Sequence, residues 1–239
     1  LTNAHVAQFL LLEDVYGNAE CLVRTGTPAT PEYTAGLLYI PPAWVVEHAD
    51  MITAKTPTGT GERDYALLYV TGSIDNSAMP AFFPALPYDT ELLPLSTVGA
   101  PITATGYPAE SLFAAGDPDV ELIPQRASST IVELLTFDTN YADVFSLLGT
   151  SMGERGASGG PVQNQDGDAI GMISTKGDDE IFGEGSLRAI TLSYIDRTMQ
   201  EETGVSLSAT MATDLAQRAS IYKRVMVPLL AEQLVEELE

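Results

Sequence analysis

Within the 239-residue chain, the run Gly156-Ala157-Ser158-Gly159-Gly160-Pro161 has the residue types with the plainest chemical meaning. At average residue usages, a chance G-x-S-G-G-P in a chain of this size is expected on the order of a few times in ten thousand. Glycines around a serine permit a tight turn and let another molecule approach its hydroxyl closely. The N–H groups of Gly156 and Ser158 can then converge on one spot, where a carbonyl oxygen turning negative would be stabilised. A serine hydroxyl is a poor nucleophile until a base takes its proton. Two histidines, His5 and His48, are present, so the search for that base is short.

Two further segments join the serine turn in a family resemblance. Leu-Thr-Asn-Ala-His-Val at residues 1–6 resembles the histidine segment of trypsin-like serine peptidases, nearest to the bacterial Deg/HtrA kind. Arg63-Asp64-Tyr65-Ala66-Leu67-Leu68 is similar to that family's aspartate segment, an Asp leading into an apolar strand. The order His, Asp, Ser is that of chymotrypsin-like enzymes. The resemblance implies a serine endopeptidase with His5 as general base, Asp64 as its orienting carboxylate and Ser158 as nucleophile. It also implies an oxyanion hole from the N–H groups of Gly156 and Ser158.

Other assignments follow from the resemblance alone. Ser174 corresponds to the serine that supports the aspartate, and the Ser174, Thr175 and Lys176 backbone to the strand that pairs with substrate. Gly106-Tyr107-Pro108 resembles an early strand of the second barrel. Met152, six residues before the nucleophile, falls near the base of the primary pocket and argues for an apolar or small P1 side chain. Arg155 and Lys176 beside that pocket would instead favour an acidic one. Ala157 departs from members that carry an acidic residue there to receive a freed N-terminus.

Two other serine patterns fail. Gly-Ala-Ser-Gly-Gly also fits the nucleophile elbow of α/β-hydrolases, but that fold needs a histidine after the serine, and none follows His48. Gly149-Thr150-Ser151-Met152-Gly153 resembles the serine segment of subtilisins, yet Asp14 and His48 lack the glycines that flank the partner segments of those enzymes.

The elements that must position these residues read as strands. Short apolar or β-branched runs recur at 8–12, 20–24, 35–40, 66–71, 102–105, 130–137, 169–174 and 188–192, separated by turn residues. Asn164-Gln165-Asp166-Gly167-Asp168 reads as a hairpin turn. The resemblance implies two six-stranded antiparallel β-barrels, the first incomplete because the chain opens at the histidine segment. The expected domains are residues 1–90 with His and Asp, a Pro-rich link through 80–101, residues 91–204 with Ser, and a helical extension over 205–239. A helix over 193–203 should stop at Gly204. Ser208 should cap a second one, with Leu215, Tyr222, Val225, Leu229 and Leu234 on its inner face and Pro228 kinking or splitting it. Docking of this arm on the barrels is expected, with oligomerisation through it as the alternative.

Composition narrows the partners. With 33 acidic against 11 basic residues the net charge is -22, which excludes nucleic acid and leaves polypeptide substrates as the implied partner. No apolar run is long enough to span a membrane. The single cysteine, Cys21, precludes an internal disulfide and reads as a buried, inert thiol. No metal or organic cofactor is implied. An exported location is expected from the family alone.

Overall fold

The computed structural model describes residues 1–17, 19–54, 59–107, 121–153 and 156–238. Among the described residues nine strands form two sheets. β1 (Cys21–Thr25), β2 (Thr30–Tyr39) and β3 (Leu67–Ser73) make an antiparallel sheet in the order β1-β2-β3. β4 (Pro101–Gly106), β5 (Gln125–Leu135), β6 (Val144–Leu147), β7 (Pro161–Gln163), β8 (Ala169–Lys176) and β9 (Leu187–Thr191) close a barrel in the order β4-β5-β6-β9-β8-β7. All its pairs are antiparallel, and closure leaves the barrel no free edge. The expected hairpin joins β7 to β8. Asn164 Oδ1 accepts from the N–H groups of Asp166 and Asp168, and Gly167 takes φ 90°.

Helices complete the fold. They are α1 (Ala4–Ala7), α2 (Glu13–Tyr16), α3 (Pro42–Glu47), α4 (Asp179–Phe182), α5 (Leu192–Thr203), α6 (Leu207–Met211), α7 (Leu215–Val225) and α8 (Val227–Glu236). The run 8–12, expected as a strand, is a 3₁₀ turn between α1 and α2. Its three consecutive leucines are all buried, which a strand with one solvated face cannot do. Leucine also favours helical over extended backbone.

Three apolar clusters hold these parts together. One fills the barrel with Ile102, Ile131, Phe145, Leu147, Val162 and Ile173. A second lies between the sheet and the barrel, where Leu38, Tyr65 and Leu67 meet Met172, Ile190 and Ile195. The third packs Leu11, Trp44, Leu230 and Leu234 over the other side of the sheet. Helices from both ends of the chain therefore cover the three-stranded sheet.

The C-terminal arm departs from its expected form in detail. α5 ends as expected at Gly204, with φ 75° and its N–H on the Gln200 carbonyl. Ser206 caps α6 and Asp214 caps α7, so Ser208 is not the cap. α7 and α8 meet at Met226, with Pro228 in the first turn of α8, where its missing N–H costs nothing. This division turns the two helices differently: Leu234 is sealed, while Val225 and Leu229 face solvent. Leu234→Ala is expected to cost about 3 kcal/mol in a urea titration, and Leu229→Ala less than about 0.5 kcal/mol. Equal losses would mean that the arm is not seated by α8.

Cys21 is half-buried on β1 rather than sealed in the core. Burial pushes its thiol pKa up, which keeps it a weak nucleophile.

Candidate active site

The histidine segment begins with an isolated bridge: Thr2 and Ala66 exchange N–H···O bonds of 2.9 and 2.7 Å. This pins residues 1–3 beside the start of β3 and sets α1 so that His5 faces Asp64. His5 Nδ1 lies 2.8 Å from Asp64 Oδ2, and the His5 backbone N–H donates to Asp64 Oδ1 at 2.9 Å. The imidazole side chain is 20% exposed and the carboxylate 6%. Ionised, Asp64 holds the imidazole with its proton on Nδ1, leaving Nε2 free to accept another.

Asp64 is held from every side. Ser174 Oγ donates to Oδ2 at 2.7 Å, and Asn3 Nδ2 donates to Oδ2 at 3.2 Å and to the Asp64 carbonyl at 3.0 Å. Ser174 reaches it because the β8–β9 register slips between Ile173 and Thr175, and a bulge of this kind re-aims one side chain. Gly61, at φ 90°, allows the chain to pass close to that serine; a Cβ there would sit 3.1 Å from Ser174 Oγ. α5 braces the same segment from behind. The Tyr194 hydroxyl accepts from the Arg63 N–H, Tyr65 OH meets Thr198 Oγ1 at 3.1 Å, and Arg63 Nε donates to Glu202. Burial raises the pKa of the Tyr65 and Tyr194 phenols well above the ordinary value, so both remain neutral hydrogen-bonding groups.

Ser158 sits half-buried on a turn between Gly156 (φ 95°) and Gly159 (φ 83°). The Gly159 N–H donates to the Ile173 carbonyl and the Gly160 carbonyl accepts from Ile173 N–H, tying the turn to β8 one residue before Ser174. A Cβ on Gly159 would lie 2.9 Å from Thr2 Oγ1, so the serine turn abuts the histidine segment. Among the described residues no hydrogen bond joins Ser158 to His5, and such bonds commonly tighten only when substrate is present. Neither the Gly156 nor the Ser158 N–H donates to another described backbone group.

Gly160 carries a steric demand of its own. A Cβ there would lie 2.2 Å from the Thr105 carbonyl oxygen and 2.9 Å from that of Ala157. Gly160→Ala is therefore expected to destabilise the chain by about 2 kcal/mol and to displace the serine turn. Gly167→Ala, in open space but at φ 90°, should cost about 1 kcal/mol. Urea titration checks both, and a Gly160→Ala chain as stable as its parent would contradict the contact.

The expected pocket residues disperse. Met152 is completely buried in the barrel cluster, its methyl within 2.8 Å of a Cβ built on Gly106, and so does not line an open wall. Thr175 is half-buried, its hydroxyl without a partner among the described residues, and Lys176 is exposed at the end of β8. Arg155 and Pro108 lie outside the described residues. His48 is occupied elsewhere: its ring stacks on Trp44 at 5.3 Å, and its Nδ1 is 3.1 Å from the Trp44 carbonyl. Asn3 and Gly61 were missed by sequence reasoning. Asn3 lies two residues before the histidine, inside a string already singled out, and Gly61 three before the aspartate.

With this geometry in view, the family can be stated: residues 1–172 match the trypsin-like peptidase domain, and the chain belongs to that family. Solved structures similar to it include the M. tuberculosis protease Rv3671c. Its inactive form is 20% identical over 84% of this chain and 76% of that one, with a TM-score of 0.48. The active form is 19% identical over 86% and 69%, with a TM-score of 0.47. An inactive-form serine-to-alanine mutant from strain H37Rv is 18% identical over 85% and 75%, with a TM-score of 0.49. Comparison with curated proteins gives no match. Membership of a peptidase family implies peptide substrates. Among the described residues no helix is long and apolar enough to cross a membrane.

Proposed function

We propose that this chain is a serine endopeptidase working through His5, Asp64 and Ser158. The observation that carries the reading is the Asp64 carboxylate, buried and receiving hydrogen bonds from His5, Ser174 and Asn3, with the Ser158 turn packed against the same segment. Few structural roles require a partly exposed imidazole bonded to a buried carboxylate beside a glycine-flanked serine.

In the proposed mechanism, Ser158 Oγ attacks the peptide carbonyl carbon while His5 Nε2 takes its proton. The carbonyl oxygen becomes an oxyanion that accepts from the N–H groups of Gly156 and Ser158. Collapse of the tetrahedral intermediate breaks the C–N bond, and His5 gives the proton to the departing amine. Water, deprotonated by the same imidazole, then hydrolyses the acyl-enzyme. Asp64 keeps the proton on Nδ1 throughout and stabilises the imidazolium.

Under this reading the three-stranded sheet is what remains of a first barrel within residues 1–90, the closed barrel is the second within 91–204, and 205–239 is an extension that covers the first. Position 152 carries no carboxylate to pair with a basic side chain, so small or apolar P1 residues should be cut from a peptide library in preference to Arg or Lys.

A fluorophosphonate probe tests the reading directly. The folded chain should be labelled at one site, mapped by mass spectrometry to Ser158. A folded chain that resists the probe would point instead to a catalytically silent binding protein on the same fold.

A further inference from the structure

A cavity of about 810 Å³ opens between β2, α3 and the helices α5, α6 and α7, away from the serine turn. Its volume falls within the range of small-molecule sites. His5, Ser158 and Ser174 do not line it, but Arg63, peptide-bonded to Asp64, does. Leu38, Met199, Ile221 and Val225 give it apolar walls. Ile221 and Val225, one turn apart on α7, are 47% and 50% exposed, so the apolar lining continues to the rim.

The polar groups in the walls are unequally occupied. Glu202 is spent: one oxygen accepts from Arg63 Nε at 2.9 Å and the other from the Tyr39 hydroxyl at 2.6 Å. Arg63 Nη1 also donates to Glu62 at 2.9 Å, so this arginine is shared between two carboxylates. Arg218 differs, since among the described residues it forms no ion pair.

Among the described residues Arg218 is the wall charge left without a partner, so an anion is the complementary head group. The chain's net charge of -22 opposes anions at long range, but screening limits that field to about 8 Å at physiological ionic strength. We propose that this cavity binds a small amphiphile with one carboxylate, its head on Arg218 and its tail against Leu38, Met199, Ile221 and Val225. The proposal is independent of the peptidase reading, because binding can be measured whether or not the chain cleaves peptides.

The test is calorimetric titration of the full chain with decanoate below its micelle concentration, and with decyltrimethylammonium as the cationic counterpart. Decanoate should bind one to one, and Arg218→Gln should weaken it at least about tenfold through loss of a charge-assisted pair. Ile221→Glu, at an exposed rim position, should abolish decanoate binding with an unchanged circular dichroism spectrum. No saturable decanoate binding to the parent chain would overturn the proposal. So would equal affinity in Arg218→Gln and Ile221→Glu, or decyltrimethylammonium binding as tightly as decanoate.

Discussion

Asp64→Asn is expected to lower kcat on a peptide substrate by about 10⁴-fold while leaving the chain folded. Asp64 Oδ2 accepts from His5 Nδ1, Ser174 Oγ and Asn3 Nδ2, and Oδ1 accepts from the His5 N–H. An amide offers one accepting oxygen and one donating NH₂, so it cannot serve both faces. With its oxygen at the Oδ2 place, the NH₂ confronts the His5 backbone N–H, donor against donor. Reversed, the NH₂ faces His5 Nδ1 together with two other donors. The imidazole must then accept there and carry its proton on Nε2, where it can take none from Ser158. Either orientation leaves buried donors unmatched, at about 1–3 kcal/mol. Steady-state kinetics and urea titration measure the two effects. Activity within tenfold of the parent would remove Asp64 from the mechanism.

The serine turn was legible because its chemistry dictates residue identity. Only glycine suits φ 95° at position 156 and 83° at 159, and only glycine leaves room for the Thr105 carbonyl at 160. The aspartate was less so: Asp64 is one of 33 acidic residues, and resemblance singled it out where spacing could not. Asn3 escaped notice because its role depends on a carboxylate 61 positions away. The barrel strands were readable from short β-branched runs, except β6 and β7, of four and three residues, which are too brief to show a period. The covering of the first sheet was not readable. Three leucines at positions 10–12 fit a buried strand as well as a buried turn, and their environment is supplied by Trp44 and Leu234 from distant parts of the chain. Met152 shows the same limit, since its place in the motif suggested a pocket and its packing against Gly106 puts it in the core.

Ser158→Ala should reduce kcat by roughly 10⁶-fold, His5→Ala by a similar factor, and the double variant by no more than either alone. The reason is that the two side chains perform one act. Without the hydroxyl the imidazole has no proton to take, and without the imidazole the hydroxyl remains protonated at neutral pH. What survives in all three is substrate binding and the Gly156 and Ser158 N–H groups, which do not depend on either side chain. Stability separates the variants where activity does not. Ser158 is half-buried on a turn, so losing one oxygen there should change unfolding by less than about 0.5 kcal/mol. His5→Ala takes a donor from a carboxylate that is only 6% exposed, and should cost about 1–3 kcal/mol more. A His5→Ala chain that kept more than about a hundredth of the parent activity would show that another group serves as base. His48, stacked on Trp44 with its Nδ1 against the Trp44 carbonyl, is bound into α3 and is poorly placed to take over.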